Sequence, residues 1–222
     1  MATFTLRITD LIGSEYTTIA SNSVSDLFNA AVNGIADSVP ADLLLKYAVN
    51  PQDLDESTPT WTTVEGKKVL LVTRLDASSP RLARQCKPVS IQDFEMTKDA
   101  DSLYFATKHS PVYAYLTDAG TTALTILPEP IAHEDVKVYY FEYIDSDITG
   151  DSTITGFPDE LYQAVVLKAC TNILQTYVSD FCQDEEDQEM LTMLNGQIQT
   201  IQALFQTEMS RYQEADASPR GE

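Results

Sequence analysis

The sequence predicts an α+β fold: an α-helical bundle, made of an N-terminal helix plus two long C-terminal helices, with a β-rich middle subdomain. Apolar residues recur at helical spacing over 24–35 and again from 158 onward. Between these stretches lie short segments rich in β-branched and aromatic residues, separated by Pro, Gly, Asp and His-Ser breaks. The expected organisation is an N-terminal helical segment (1–60), a β-rich subdomain (61–145), an acidic hinge (146–157), a C-terminal helical hairpin completing the bundle (158–213) and a flexible tail (214–222). At 222 residues the chain suits one ordinary domain, or one core with an inserted subdomain.

Val24, Leu27, Phe28, Ala31, Val32 and Ile35 fall on one helical stripe. Ser23 or Ser25 can cap its start by accepting a backbone N–H bond, and Pro40 breaks it before the shorter apolar segment ADLLLKYAV. PQDLDESTPT reads as a loop because of its prolines, acids and hydroxyls. From about residue 61 the pattern becomes β: VEGKKVLLVTRL, SLYFAT, PVYAYLT, TTALTILP and VKVYYFEYI are the expected strands. In the last of these, neither the Val138 and Tyr140 face nor the Tyr139, Phe141 and Tyr143 face is wholly polar, so packing on both faces is expected.

DSDITGDSTITG, with two glycines and no helical period, is the expected hinge. Phe157 and Pro158 then lead into a helix whose first turn carries Asp159 and Glu160, acids suited to the positive helix end. Leu161, Val165, Ala169, Ile173 and Tyr177 make one apolar stripe, and Val166, Cys170, Leu174, Val178 and Phe181 a second, which predicts burial on more than one side. After SDFCQDEEDQE, the residues Leu191, Leu194, Ile198, Ile201, Phe205 and Tyr212 follow a seven-residue repeat, with Glu208 as the polar seam position. The remaining positions are mostly Gln, Thr and Met, so this helix is expected to pack back on 158–181.

A formal net charge of -20 argues against a broad phosphate-binding surface, because nucleic-acid affinity rests on Lys and Arg neutralising phosphates. Passage of DNA close by without adhesion is compatible with it. Cys86, Cys170 and Cys182 are too few and scattered for a disulfide framework and read as small buried apolar residues of a reducing compartment. The N-terminus lacks the pattern of a secretory signal, and no apolar run approaches the roughly 18 residues needed to span a bilayer, so synthesis in the cytoplasm and no membrane partner are expected.

No nucleotide-binding glycine loop, hydrolase elbow, HExxH or CxxC motif occurs, so the chain is expected not to be an enzyme and to need no cofactor or metal. Asp145, Asp147 and Gly150 start like a calcium loop, but its twelfth position is Gly156 where a bidentate Glu is required; an exposed acidic turn is the expectation. His109 and His133 have no Cys or His partner at metal spacing. Asp184, Glu185, Glu186, Asp187 and Glu189 are consecutive acids that point in different directions and read as a solvated loop. Tyr139, Tyr140, Phe141 and Tyr143 lack the basic groove of a base-stacking platform and read as core or interface packing.

PVYAYLTDAGTTALTILPEPIAHEDVKVYYFEYI at 111–144 and GFPDELYQAVVLKACTNIL at 156–174 resemble the head-to-tail connector, adaptor or neck proteins of tailed bacteriophages. The first is similar to a recurring P-x-Y, turn, P-x-P and Val/Tyr-rich strand pattern. The second is similar to the P-x-E-L/Y-x-x-A helix that opens their helical bundle. The resemblance implies a structural virion protein that forms a homo-oligomeric ring, commonly of twelve copies, at the head-tail junction. Its implied partners are the portal protein, a downstream neck or tail protein, and double-stranded DNA passing through the channel without specific binding. The large β-rich middle keeps another neck or tail ring, of the tail-terminator kind, as an alternative. An acidic DNA-mimic inhibitor is the alternative from another class, but the acids cluster near 142–160 and 180–189 instead of covering a whole face.

Eight of the 14 basic residues lie between Lys67 and Lys108 against five acids, leaving that segment about +3. Ring subunits gain from opposite charges on adjoining sides. Arg81 and Arg84 on one side, and Asp184, Glu185, Glu186 and Asp187 on the other, are therefore the expected subunit-interface residues. The tail EADASPRGE cannot form a core, and Pro219 and Arg220 are the residues expected to become ordered on docking to the portal.

Overall fold

The computed structural model describes residues 2–14, 21–48, 51–76, 82–118, 120–132, 134–181 and 188–214. In chain order the elements are α1 (Phe4–Ile12), α2 (Ser21–Ser38), α3 (Ala41–Leu45), β1 (Gln52–Leu54), β2 (Thr60–Trp61), β3 (Lys67–Leu75), β4 (Ala83–Gln85), β5 (Lys87–Pro88), α4 (Ile91–Phe94), β6 (Val112–Asp118), β7 (Thr121–Leu127), β8 (Val136–Glu142), α5 (Tyr162–Phe181) and α6 (Gln188–Glu214). The fold is α+β and divides into two compact units. Unit 1 is Met1–Leu44 with Ile144–Glu222, and unit 2 is the inserted segment Leu45–Tyr143.

Unit 1 is a helical bundle with α5 at its centre, packed by α1, α2 and α6. Both stripes expected on α5 are buried over most of their length, Leu161, Val165, Ala169 and Ile173 on one and Val166, Cys170 and Leu174 on the other, while Tyr177 and Val178 are half-buried. The seam of α6 is also as expected at Leu194, Ile198 and Ile201, and Met209 joins it in the core while Glu208 pairs with Arg211 at 2.8 Å. The N-terminal helix at 24–35 forms as α2, with Phe28, Ala31, Val32 and Ile35 buried.

Helix α1 precedes it and was not expected. Its buried residues Phe4, Ile8 and Ile12 are four apart, the Thr3 hydroxyl accepts the Leu6 N–H at 3.3 Å, and Gly13, at φ 96°, closes the helix with its N–H on the Thr9 carbonyl.

The expected acidic hinge is a fastened segment. The Phe4 and Thr5 amides at the start of α1 donate to the Asp151 and Thr149 carbonyls, each at 2.9 Å. Asn33 grips the Ile144 backbone with both ends of its amide, donating to the carbonyl at 3.0 Å and accepting from the N–H at 2.9 Å. Asn29 donates to the Ser146 carbonyl. Ile154 and Phe157 are buried, so polar composition conceals two apolar anchors. The Ile154 N–H donates to the buried Tyr162 hydroxyl at 2.8 Å. Tyr162→Phe removes that acceptor and leaves a buried N–H without a partner, so urea unfolding is expected to show a loss of about 1–3 kcal/mol.

Unit 2 starts earlier than residue 61, because β1, inside the stretch expected to be a loop, pairs with β8. Its two four-stranded sheets have the orders β1-β8-β3-β4 and β2-β7-β6-β5, antiparallel throughout except for the β5/β6 pair. The chain changes sheet four times: between β1 and β2, between β2 and β3, at Cys86 between β4 and β5, and between β7 and β8. Leu54, Val72, Val136 and Val138 from the first sheet meet Trp61, Leu124 and Ile126 from the second in one core. A bulge at Leu70 shifts the parity of β3, which lets Val69 and Val72, three residues apart, both reach that core. Four of the five expected strands are present; SLYFAT is not one of them.

Candidate assembly surfaces

Sequence alone offers the cations of 67–108 as a basic face, but the fold turns several of them inward or pairs them. Arg74 follows the core parity of β3, is 2% exposed, and forms a buried ion pair with Glu134 while donating to the Glu129 carbonyl at 3.2 Å. Asp76, at the end of β3, has a fully buried carboxylate; Arg84 (3.6 Å), Lys108 (3.7 Å) and His109 (3.6 Å) surround it. Lys67 pairs with Glu142 at 3.7 Å and lies over the rings of Trp61 and Tyr140 at 5.3 and 5.1 Å. Of the expected interface residues, then, Arg84 is held by an acid of its own chain. Arg81, Asp184, Glu185, Glu186 and Asp187, and the tail residues Pro219 and Arg220, lie outside the described residues, as do His133 and Cys182.

The other candidate chemistry resolves into local structure. The Asp147 carboxylate accepts the N–H and hydroxyl of Thr149 at 3.0 and 2.7 Å, bonds that hold its pKa below the usual carboxylate range, backbone bond first. Among the described residues no group of three or more His, Cys, Asp or Glu side chains is placed to hold a metal ion. Burial pushes the Cys86 and Cys170 thiols up to about 12, where thiolate chemistry does not start at neutral pH. Tyr140 packs on Trp61 with ring centroids 4.9 Å apart and so serves unit 2's core, and Phe141 is buried with its ring 6.2 Å from that of Tyr143. No described helix is long and apolar enough to cross a membrane.

Among the described residues, two surfaces stand out as not explained by intrachain packing. The first is the loop after α4. Ser90 caps α4 by accepting the Asp93 N–H, and buried Phe94 anchors the helix. Buried Thr97 and Ala106 then close the base of a loop through an Ala106 N–H to Thr97 carbonyl bond of 2.9 Å. Inside it Ser102 donates to the Asp99 carbonyl, Phe105 to the Ser102 carbonyl, and Tyr104 to the Ser102 hydroxyl. These turns replace the strand expected at SLYFAT, because Asp99 and Ser102 bond the neighbouring backbone before a ladder can. The loop holds Leu103 fully exposed, Tyr104 at 70% and Phe105 at 41%, and Ile91 and Met96 nearby in sequence are exposed too. Contiguous exposed apolar side chains are a mark of interaction sites.

The second surface is the outer face of α6. Residues 190–207 form the longest stretch of the chain without a charge, eighteen residues in a protein with 22% charged residues. Thr192, Met193, Asn195, Gly196, Gln199, Thr200, Ala203, Leu204, Gln206 and Thr207 are its exposed positions, with Met193 at 58% and Leu204 at 52%. Gln197 donates to the Leu11 carbonyl at 3.3 Å, so the end of α1, with exposed Leu11, borders this face. The uncharged run is visible in the sequence, beside the seven-residue repeat of the buried seam. No family model matches the chain, and no curated protein matches it.

Proposed function

We propose that the chain is a non-enzymatic structural protein, a head-to-tail connector or adaptor that forms a homo-oligomeric ring between the portal and the tail of a bacteriophage particle. The resemblance of 111–144 and 156–174 to that family suggests the class. The observation that carries the assembly reading is the pair of unlike exposed surfaces, an aromatic loop on unit 2 and an uncharged helix face on unit 1. A closed ring requires two different surfaces on each subunit, whereas a two-fold dimer needs only one. The acidic remainder of the surface suits a channel through which DNA slides without being held, since phosphates find few cations there.

The deciding experiment is symmetry-resolved electron microscopy of the neck of intact particles. The expected result is density for α5 and α6 repeated around a ring beneath the portal, with double-stranded DNA on its axis. Absence of this protein from the neck and the tail would overturn the reading.

A further inference from the structure

We infer that the uncharged face of α6 is the seat for the 103–105 loop of a second copy of this chain. This inference rests on the ring reading above and names the contact that would build it. Solvent-facing helix surfaces normally carry charge, and at the chain's own 22% an eighteen-residue stretch would hold about four charged residues; 190–207 holds none. Depletion of charge together with exposed Met193 and Leu204 is the composition of an interface core. Gly196 sits in the middle of this exposed helical face, and a Cβ added there meets nothing within 4 Å, so packing inside the chain gives no reason for it. Close approach by another molecule does.

Charge identifies the occupant. Two molecules of formal charge -20 repel over most of their surfaces, and juxtaposed like charges oppose association. A basic partner would be drawn to the acids, not to the neutral strip; another copy of an acidic chain gains by meeting the strip. The loop that presents Leu103, Tyr104 and Phe105 carries Asp99 and Asp101, and its one cation, Lys98, is paired with Glu95 at 2.7 Å, so the loop disfavours an acidic landing site and is compatible with α6. Its hydrogen-bonded turns hold the backbone that carries these side chains in place before contact, so little backbone freedom is lost on docking. Loop and strip are different surfaces, so each copy can give one and receive the other.

The test is crosslinking in assembled particles with a Tyr104→Cys and Leu204→Cys double variant, in a Cys182→Ser background, treated with a short bismaleimide. Both positions are exposed, and the remaining Cys86 and Cys170 are buried. The expected product is a denaturant-resistant ladder rising in steps of one 24.6 kDa chain, while each single-cysteine variant stays at one chain. A ring seen by microscopy with no ladder from the double variant overturns this contact and leaves the ring reading standing. Dimers from Leu204→Cys alone mean that α6 meets itself, which also overturns the contact. A chain that stays monomeric and is missing from particles overturns both.

Discussion

Arg74→Ala is expected to lower the unfolding free energy by about 3–5 kcal/mol, because it leaves the Glu134 carboxylate buried without its counter-charge. Glu134 is 4% exposed, so water does not replace the guanidinium without opening the sandwich. The pair itself is not optimally built: Nε and Nη1 of Arg74 are buried and have no hydrogen-bond partner. Replacing both members together, Arg74→Met with Glu134→Gln, is therefore expected to cost much less than Arg74→Ala alone. Urea unfolding of the single and double variants checks both statements. A loss below about 1 kcal/mol for Arg74→Ala would mean that the carboxylate reaches solvent, and the buried pair would then have no structural weight.

The second large effect is expected at the other end of the chain's architecture. Phe4→Ala should cost about 3–5 kcal/mol, the range for truncating a fully buried aromatic side chain. The Phe4 ring lies 4.9 Å from that of Phe28 and stands edge-on to Tyr162 at 5.3 Å, so it pins α1 to both α2 and the start of α5. The neighbouring Leu6, 54% exposed, supplies the control: Leu6→Ala should stay within about 0.5 kcal/mol of the parent. Denaturant unfolding followed by far-ultraviolet circular dichroism measures both. Equal losses in the two variants would show that helix propensity, not the ring cluster, holds α1.

The long periodic elements were legible because periodicity and burial largely coincide in them: the middles of α2, α5 and the α6 seam bury the residues their spacing selects, while Val24, Leu27, Tyr177, Val178, Leu191, Phe205 and Tyr212 on the same stripes are half-buried. Helix α1 escaped notice because FTLRITDLI has β-branched residues at Thr5, Ile8, Thr9 and Ile12 and only three apolar anchors, and its stability depends on partners far along the sequence. SLYFAT failed in the opposite sense. Its aromatic and apolar composition reads as strand, but Ser102 and Asp99 commit the backbone to turns, and composition says nothing about which apolar residues stay in water. The basic segment misled for a third reason: linear charge counts cannot see that Arg74 and Arg84 are answered by Glu134 and Asp76 of the same unit.

The insertion of unit 2 between the two parts of unit 1 also fixes an order of events during synthesis. Every strand pairing of unit 2 lies within residues 45–143, so the sandwich has all its parts before α5 emerges. Helices α1 and α2 are made first yet pack on a helix that begins at Tyr162. At about 5–20 residues per second, Phe28 and Val32 wait on the order of ten seconds for their partner. By the end of that interval the nascent chain carries a β unit with all its strands made and an unfinished, apolar N-terminal helix pair, which is the species that a chaperone would meet.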